Sequence, residues 1–158
     1  MIGQMIKGAI AGAAATWVMD LVTTGMVGGQ TESDKKREQA AMPNGQSSIA
    51  NLVDKVDATL GLGLSDDTKG TAGQAVHYGL GIVPGALYAI LRRIPLVGAA
   101  NGILFGALLF AAHDEYLNSA LGLSGPFDAY PMSTHARGLV SHMVLGATTD
   151  SLLDLMGG

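Results

Sequence analysis

Four ionisable residues stand inside long apolar stretches of this chain: Asp20, His77, His113 and His142. Three imidazoles and a carboxylate suit a borderline divalent transition metal such as zinc, iron or manganese. The same set suits proton handling, because histidine titrates near neutral pH and a nearby acid shifts it. Two imidazoles on opposing helices could also ligate haem, but closely packed glycine-rich helices leave little room for it. Asp114, Glu115 and His135 lie at segment ends and are expected to form a charged vestibule to the same site. Each has a plainer reading. Asp114 and Glu115 would then mark the headgroup level beside Tyr116, and His135 would sit in the interface near Arg137. Asp20 would then bond only to a neighbouring threonine or to Arg137.

The segments that must hold these residues are long and poor in charge. A helix crossing the hydrocarbon core needs about 20 mainly apolar residues. Residues 6–29, 73–91, 95–119 and 134–156 meet that requirement, the last least well because it holds Arg137, His142, Asp150 and Asp154. The first could be mistaken for a signal peptide, but it is expected to be a retained membrane helix. A soluble helical protein is the minor alternative, since the charge-free runs are short. Between the first two segments lies a polar loop, 30–72. Within it "SSIANLVDKVDATLGLGL" places Ile49, Leu52, Val53, Val56 and Leu60 at helical spacing. That pattern predicts an amphipathic surface helix with Ser47 or Ser48 as its N-cap. "LGLSGPFDAYP" (121–131) reads as a Gly/Pro turn before the last segment.

At 100° per residue each helix places its ionisable group on a stripe of small residues. Gly8, Gly12, Thr16 and Asp20 share one face; so do His77, Gly81 and Gly85; Gly98, Gly102, Gly106 and His113; and His142, Gly146 and Thr149. Small-residue faces are the ones that pack inward in lipid. Because successive spans run in opposite directions, Asp20, His77, His113 and His142 fall in one leaflet. They are expected on the order of 5–12 Å below the side that carries the long loop. Asp150 and Asp154 fall towards the other side, where they are expected to make interface or inter-helix hydrogen bonds.

Composition fits a membrane class. Of 158 residues, 48% are hydrophobic and only 14% charged, with 23 glycines and a mean hydropathy of +0.33. A soluble domain carries about 25% charged residues. The net charge of −4 argues against nucleic acid as a partner. The chain has no cysteine, which excludes disulfide, iron–sulfur and thiolate-metal chemistry. No P-loop, HExxH or GxSxG motif is present, so enzymatic activity is left open, with a non-enzyme favoured.

The stretch "LGLSDDTKGTAGQAVHYGLGIVPGALYAIL", the glycine-rich segment ending in His113, "LGLSGPFDAYP" and "GLVSHMVLGATTD" together resemble the YagU-like family of small, uncharacterised bacterial inner-membrane proteins. The resemblance covers roughly residues 60–150 and implies an integral inner-membrane protein without supplying an activity. His77, His113 and His142 fall where that family's histidines are expected. The resulting expectation is one all-α membrane domain over 1–158: four transmembrane helices, an amphipathic surface helix in the first loop, and both termini cytoplasmic. Its function would be metal-ion or proton binding or translocation. The alternative is a non-catalytic accessory subunit that packs against itself or a larger membrane assembly.

Overall fold

A computed structural model describes residues 1–157, and among these every regular element is helical. Helix α1 spans Ile2–Gly28. The polar loop folds into two shorter helices whose starts are fixed by side-chain caps. In α2 (Glu32–Ala41) the Thr31 hydroxyl accepts the Asp34 N–H, and Glu32 and Asp34 complement the helix dipole in the first turn. In α3 (Ser48–Leu60) Ser47 accepts the Ala50 N–H, and Gly61 ends the helix at φ +62°. The expected amphipathic helix is therefore present, and Ser47 is its cap.

Helix α4 (Asp66–Leu91) begins ahead of the apolar stretch expected at 73, because Ser65 caps it and Asp66 and Asp67 favour its positive end. Residues 95–102 depart from the sequence expectation. They form turns, with Ala100, Asn101 and Gly102 all at positive φ, so Gly98 and Gly102 do not extend a helical stripe. Helix α5 (Ile103–Leu109) starts only after Gly102. It runs on as a π-helical segment, Phe110–Leu117, and ends in α6 (Asn118–Ala120). Helix α7 (Met132–Leu155) closes the chain.

Helix α1 packs on both α4 and α7, and α5 packs on α7, giving the order α4–α1–α7–α5 across the bundle. Glycines allow these contacts to be backbone to backbone. A Cβ on Gly8 or Gly12 would overlap the carbonyls of Gly85 and Gly81, and one on Gly106 would overlap the carbonyl of His142. Small-residue packing thus operates as expected on α1, α4 and α7, and on the third segment at Gly106 and at Gly102, which meets the Gly146 carbonyl although it precedes the helix.

The interior mixes apolar residues, among them Ala11, Tyr88, Leu145 and Leu153, with polar ones such as Thr16, His135, Ser141, Thr149 and Asp150, whereas Ile6, Ile10, Trp17, Leu21, Val83 and Leu87 are exposed. Helices α1 and α4 are long and apolar enough to cross a membrane. One end of the bundle is closed. Tyr88, fully buried, donates to Asp150 Oδ1 at 2.7 Å, and Arg92 lies 3.2 Å from the same carboxylate and also bonds Asp154. Tyr88 packs on the Phe105 ring at 4.6 Å, and Lys7 donates to the carbonyls of Met156 and Gly157, just past the end of α7. Asp150 and Asp154 are therefore inter-helix groups, as expected.

Candidate functional site

The other end is hollow. A cavity of about 430 Å³ opens among α1, α4, the π segment and α7, beneath parts of α2, α3 and the 124–130 turn. Asp20, His77, His113, Asp114, Glu115, His135 and His142 all line it. Apolar side chains such as Met19, Leu80, Leu109, Phe110 and Leu145 complete the wall. The volume lies within the range of small-molecule sites, about 300–1,000 Å³.

Within this cavity the ionisable residues group as histidine–carboxylate pairs. His77 Nε2 lies 2.9 and 3.0 Å from the two oxygens of Asp20, joining α4 to α1. His113 Nδ1 lies 2.8 Å from Asp114 Oδ1, and His142 Nε2 lies 3.6 Å from Asp114 Oδ2. His135 Nδ1 lies 2.6 Å from Glu115 Oε1. The structure thus joins Asp20 to His77, and links His113 to His142 through Asp114. It does not bring the four expected residues onto one centre: among the described residues, no group of three or more His, Asp or Glu converges closely enough to hold a metal ion.

Asp114 and Glu115 enter the wall because their helix is locally a π-helix. The expectation that Asp114 turns away from His113 by about 100° assumes α-helical geometry. A π-helix bonds i→i+5 and advances each residue through a smaller angle, so His113, Asp114 and Glu115 fan across one side. Asp114 is accordingly a bridge between two histidines and not only a vestibule group. No sequence pattern announces that change of helix type.

Proton positions follow from the partners. His135 faces acceptors through both ring nitrogens: Nε2 lies 3.0 Å from the Phe127 carbonyl, and Nδ1 meets Glu115. A neutral imidazole has one N–H, and the Phe127 carbonyl takes it. The 2.6 Å contact to Glu115 therefore needs a second proton, on either partner. His142 is similar: Nδ1 donates to the Gly138 carbonyl at 3.0 Å, so Nε2 meets Asp114 with a lone pair unless it too is protonated. His135 is also stacked on Phe127 at 3.9 Å and is buried. It is part of the cavity wall.

The roof is tied down by charge. Arg137 does not bond Asp20; it forks onto Glu38 of α2 at 2.6 and 3.1 Å and donates to Gln30 at 2.6 Å. Burial alone would push the Glu38 carboxyl up. Hydrogen bonds from Arg137, Thr134 and Gln30, with the Arg137 charge, outweigh it and hold the carboxyl below its ordinary 4.5. Sequence reasoning missed this pair. Glu38 lies in a run of charges, and nothing local singles it out as the partner of Arg137.

Compared with known proteins, the chain matches no family model, no curated protein and no solved structure. Functional inference rests on the cavity itself.

Proposed function

We propose that this chain is a small multi-pass membrane protein whose cavity binds and relays protons through its histidine–carboxylate pairs. The carrying observation is that three such groupings, Asp20–His77, His113–Asp114–His142 and Glu115–His135, line one cavity at one end of the bundle. Each sets an imidazole, which can take up or release a proton, against a carboxylate able to share it. The grouping favours protons over a metal, because the carboxylates are engaged by imidazoles in three separate groupings rather than directed at a common centre.

The membrane setting is supported by the many large apolar side chains that α1 and α4 leave exposed, among them Ile6, Ile10, Trp17, Leu21, Val83 and Leu87. Contiguous apolar surface of this kind marks a membrane or protein contact. In this reading α1, α4, the α5–π–α6 rod and α7 are the four spans. Helices α2 and α3 lie at the surface of a bacterial inner membrane, in keeping with the YagU-like resemblance, and both termini share its cytoplasmic side, where Lys7, Arg92 and Arg93 also fall.

The test is proton flux in proteoliposomes carrying an internal pH-sensitive dye and a potassium diffusion potential. Wild-type protein is expected to conduct or exchange protons, and Asp20→Asn and His142→Ala to reduce the rate severalfold. Flux that ignores both substitutions, or no flux at all, sinks the reading. Elemental analysis of the same preparation separates it from the metal alternative, which requires a stoichiometric ion lost in His113→Ala.

A further inference from the structure

The histidine-lined cavity offers a ligand more acceptors than donors. Asp20, Glu38, Asp114 and Glu115 stand on its wall against one permanent cation, Arg137, and that cation is already committed to Glu38. The imidazoles of His77, His113, His135 and His142 offset the remaining carboxylates only by carrying second protons. An anionic ligand would add to this excess of negative charge, and a cationic one offsets it.

The shortage of donors is sharpest between the π segment and α7. His142 Nδ1 gives its proton to the Gly138 carbonyl, so a neutral His142 turns the lone pair of Nε2 towards Asp114 Oδ2, 3.6 Å away. Two acceptors that close repel unless a hydrogen is supplied to them. Asp114 takes one N–H from His113 through Oδ1 and has lone pairs to spare. A second proton on His142 meets the demand, and so does an N–H brought by a ligand. An ammonium nitrogen set about 2.8–3.0 Å from both atoms donates one hydrogen to Oδ2 and another to Nε2.

Most of the remaining wall is apolar. Met19, Leu80, Pro84, Leu109, Phe110 and Leu145 line it, and sites of this kind bury most of a small organic molecule. A hydrated inorganic cation gains nothing from such a wall, whereas an amine with a hydrocarbon body does. The carboxylates can be reached from outside: the Asp20 and Asp114 side chains are 41% and 36% exposed.

We propose that the cavity binds an apolar primary amine in its protonated form, with the ammonium group on Asp114 and His142 and the hydrocarbon part against Leu109, Phe110 and Leu145. This names a ligand class for the same cavity, and rests on the proton reading only for the exchange of amine against proton.

The test is equilibrium dialysis of radiolabelled benzylamine against full-length protein in detergent, with protein-free micelles as the blank. At neutral pH benzylamine is expected to bind saturably, with one site per chain. Asp114→Asn removes the charge and gives His142 an amide N–H of its own, so affinity should fall about tenfold. His142→Ala should weaken binding severalfold, and Asp154→Asn, at the closed end, should leave it unchanged. Benzyltrimethylammonium keeps the charge but has no N–H, and benzyl alcohol keeps a donor but has no charge. Both should bind about tenfold more weakly than benzylamine. Absence of saturable binding overturns the amine site. So does an Asp114→Asn protein that binds as tightly as wild type, or wild type that binds benzyltrimethylammonium as tightly as benzylamine. Proton flux in proteoliposomes separates this site from the proton reading. Saturable binding without flux keeps the amine site and overturns the relay; flux without binding does the reverse. Proton release on binding, read by a dye in weakly buffered solution, joins the two.

Discussion

At the closed end of the bundle Asp150 is buried and held by the Tyr88 hydroxyl and the Arg92 guanidinium. At the hollow end the Asp20 side chain is 41% exposed and faces one imidazole across a cavity. Both are aspartates within long helices, and both bridge two helices. They differ in the partner. Arginine is a fixed charge, and with the Tyr88 hydroxyl it holds Asp150 in a buried network. Asp20 has one imidazole partner and stays partly open to its surroundings. The closed end ties α4 to α7, and the hollow end leaves its ionisable groups on a cavity wall.

The largest effect expected from this contrast is on stability. Asp150→Ala leaves the buried Tyr88 hydroxyl without its acceptor and Arg92 with Asp154 alone, and should cost about 3 kcal/mol, the loss of a buried acceptor together with one arm of an ion-pair network. Asp20→Ala should cost less than about 1 kcal/mol, as for a pair open to water. Thermal unfolding in detergent, followed by circular dichroism, reads both. Equal losses would erase the distinction between the two ends. The functional readout should invert the order, with Asp20→Asn abolishing most proton flux at nearly wild-type stability.

A smaller effect separates roles within the hollow end. Glu115→Gln replaces a pure acceptor by an amide that can donate to His135 Nδ1, so the imidazole no longer needs a second proton. Nitrogen-15 spectra of histidine-labelled protein should report His135 with both nitrogens protonated, or one shared with Glu115, in the wild type. The variant should show a single N–H, directed at Phe127. A His135 spectrum that is the same in both proteins would remove the proton from this pair.

How much of this was legible in the chain depends on the kind of signal. The glycines at 8, 12, 81 and 85 sit at helical spacing, so their shared face could be read directly, and the structure uses it for backbone contact. Ser47 as a cap and the amphipathic run after it are local patterns and were equally readable. Asp20, His77, His113 and His142 were visible as ionisable groups in apolar surroundings, and one cavity gathers them. The pairing was not visible. It depends on the π segment, which re-aims Asp114 and Glu115, and on Gly102 at φ +81°, which sets where the third helix begins. The Arg137–Glu38 fork joins residues far apart in sequence, with no periodicity to connect them. Local patterns report faces and caps; they do not report which face meets which.

The smallest expected effect concerns the roof, and it sharpens the comparison because Arg137–Glu38 is a locked pair placed at the hollow end. The two side chains are 12% and 14% exposed. The Glu38 carboxyl is held below 4.5 in the folded protein: burial opposes ionisation, but hydrogen bonds led by Arg137 outweigh it. A carboxyl depressed on folding contributes stability that is fully present above its unfolded value. That stability drains away as the pH falls below about 4.5 and through the folded value. Hydrogen exchange across α2 should therefore accelerate in that acid window while exchange at the closed end of α7 stays slow. Glu38→Gln should exchange faster than wild type at neutral pH and lose the acid step. If α2 loosened in acid equally with glutamine at 38, the roof would be held by something other than this pair, and the hollow end would owe its shape to α3 and the turn alone.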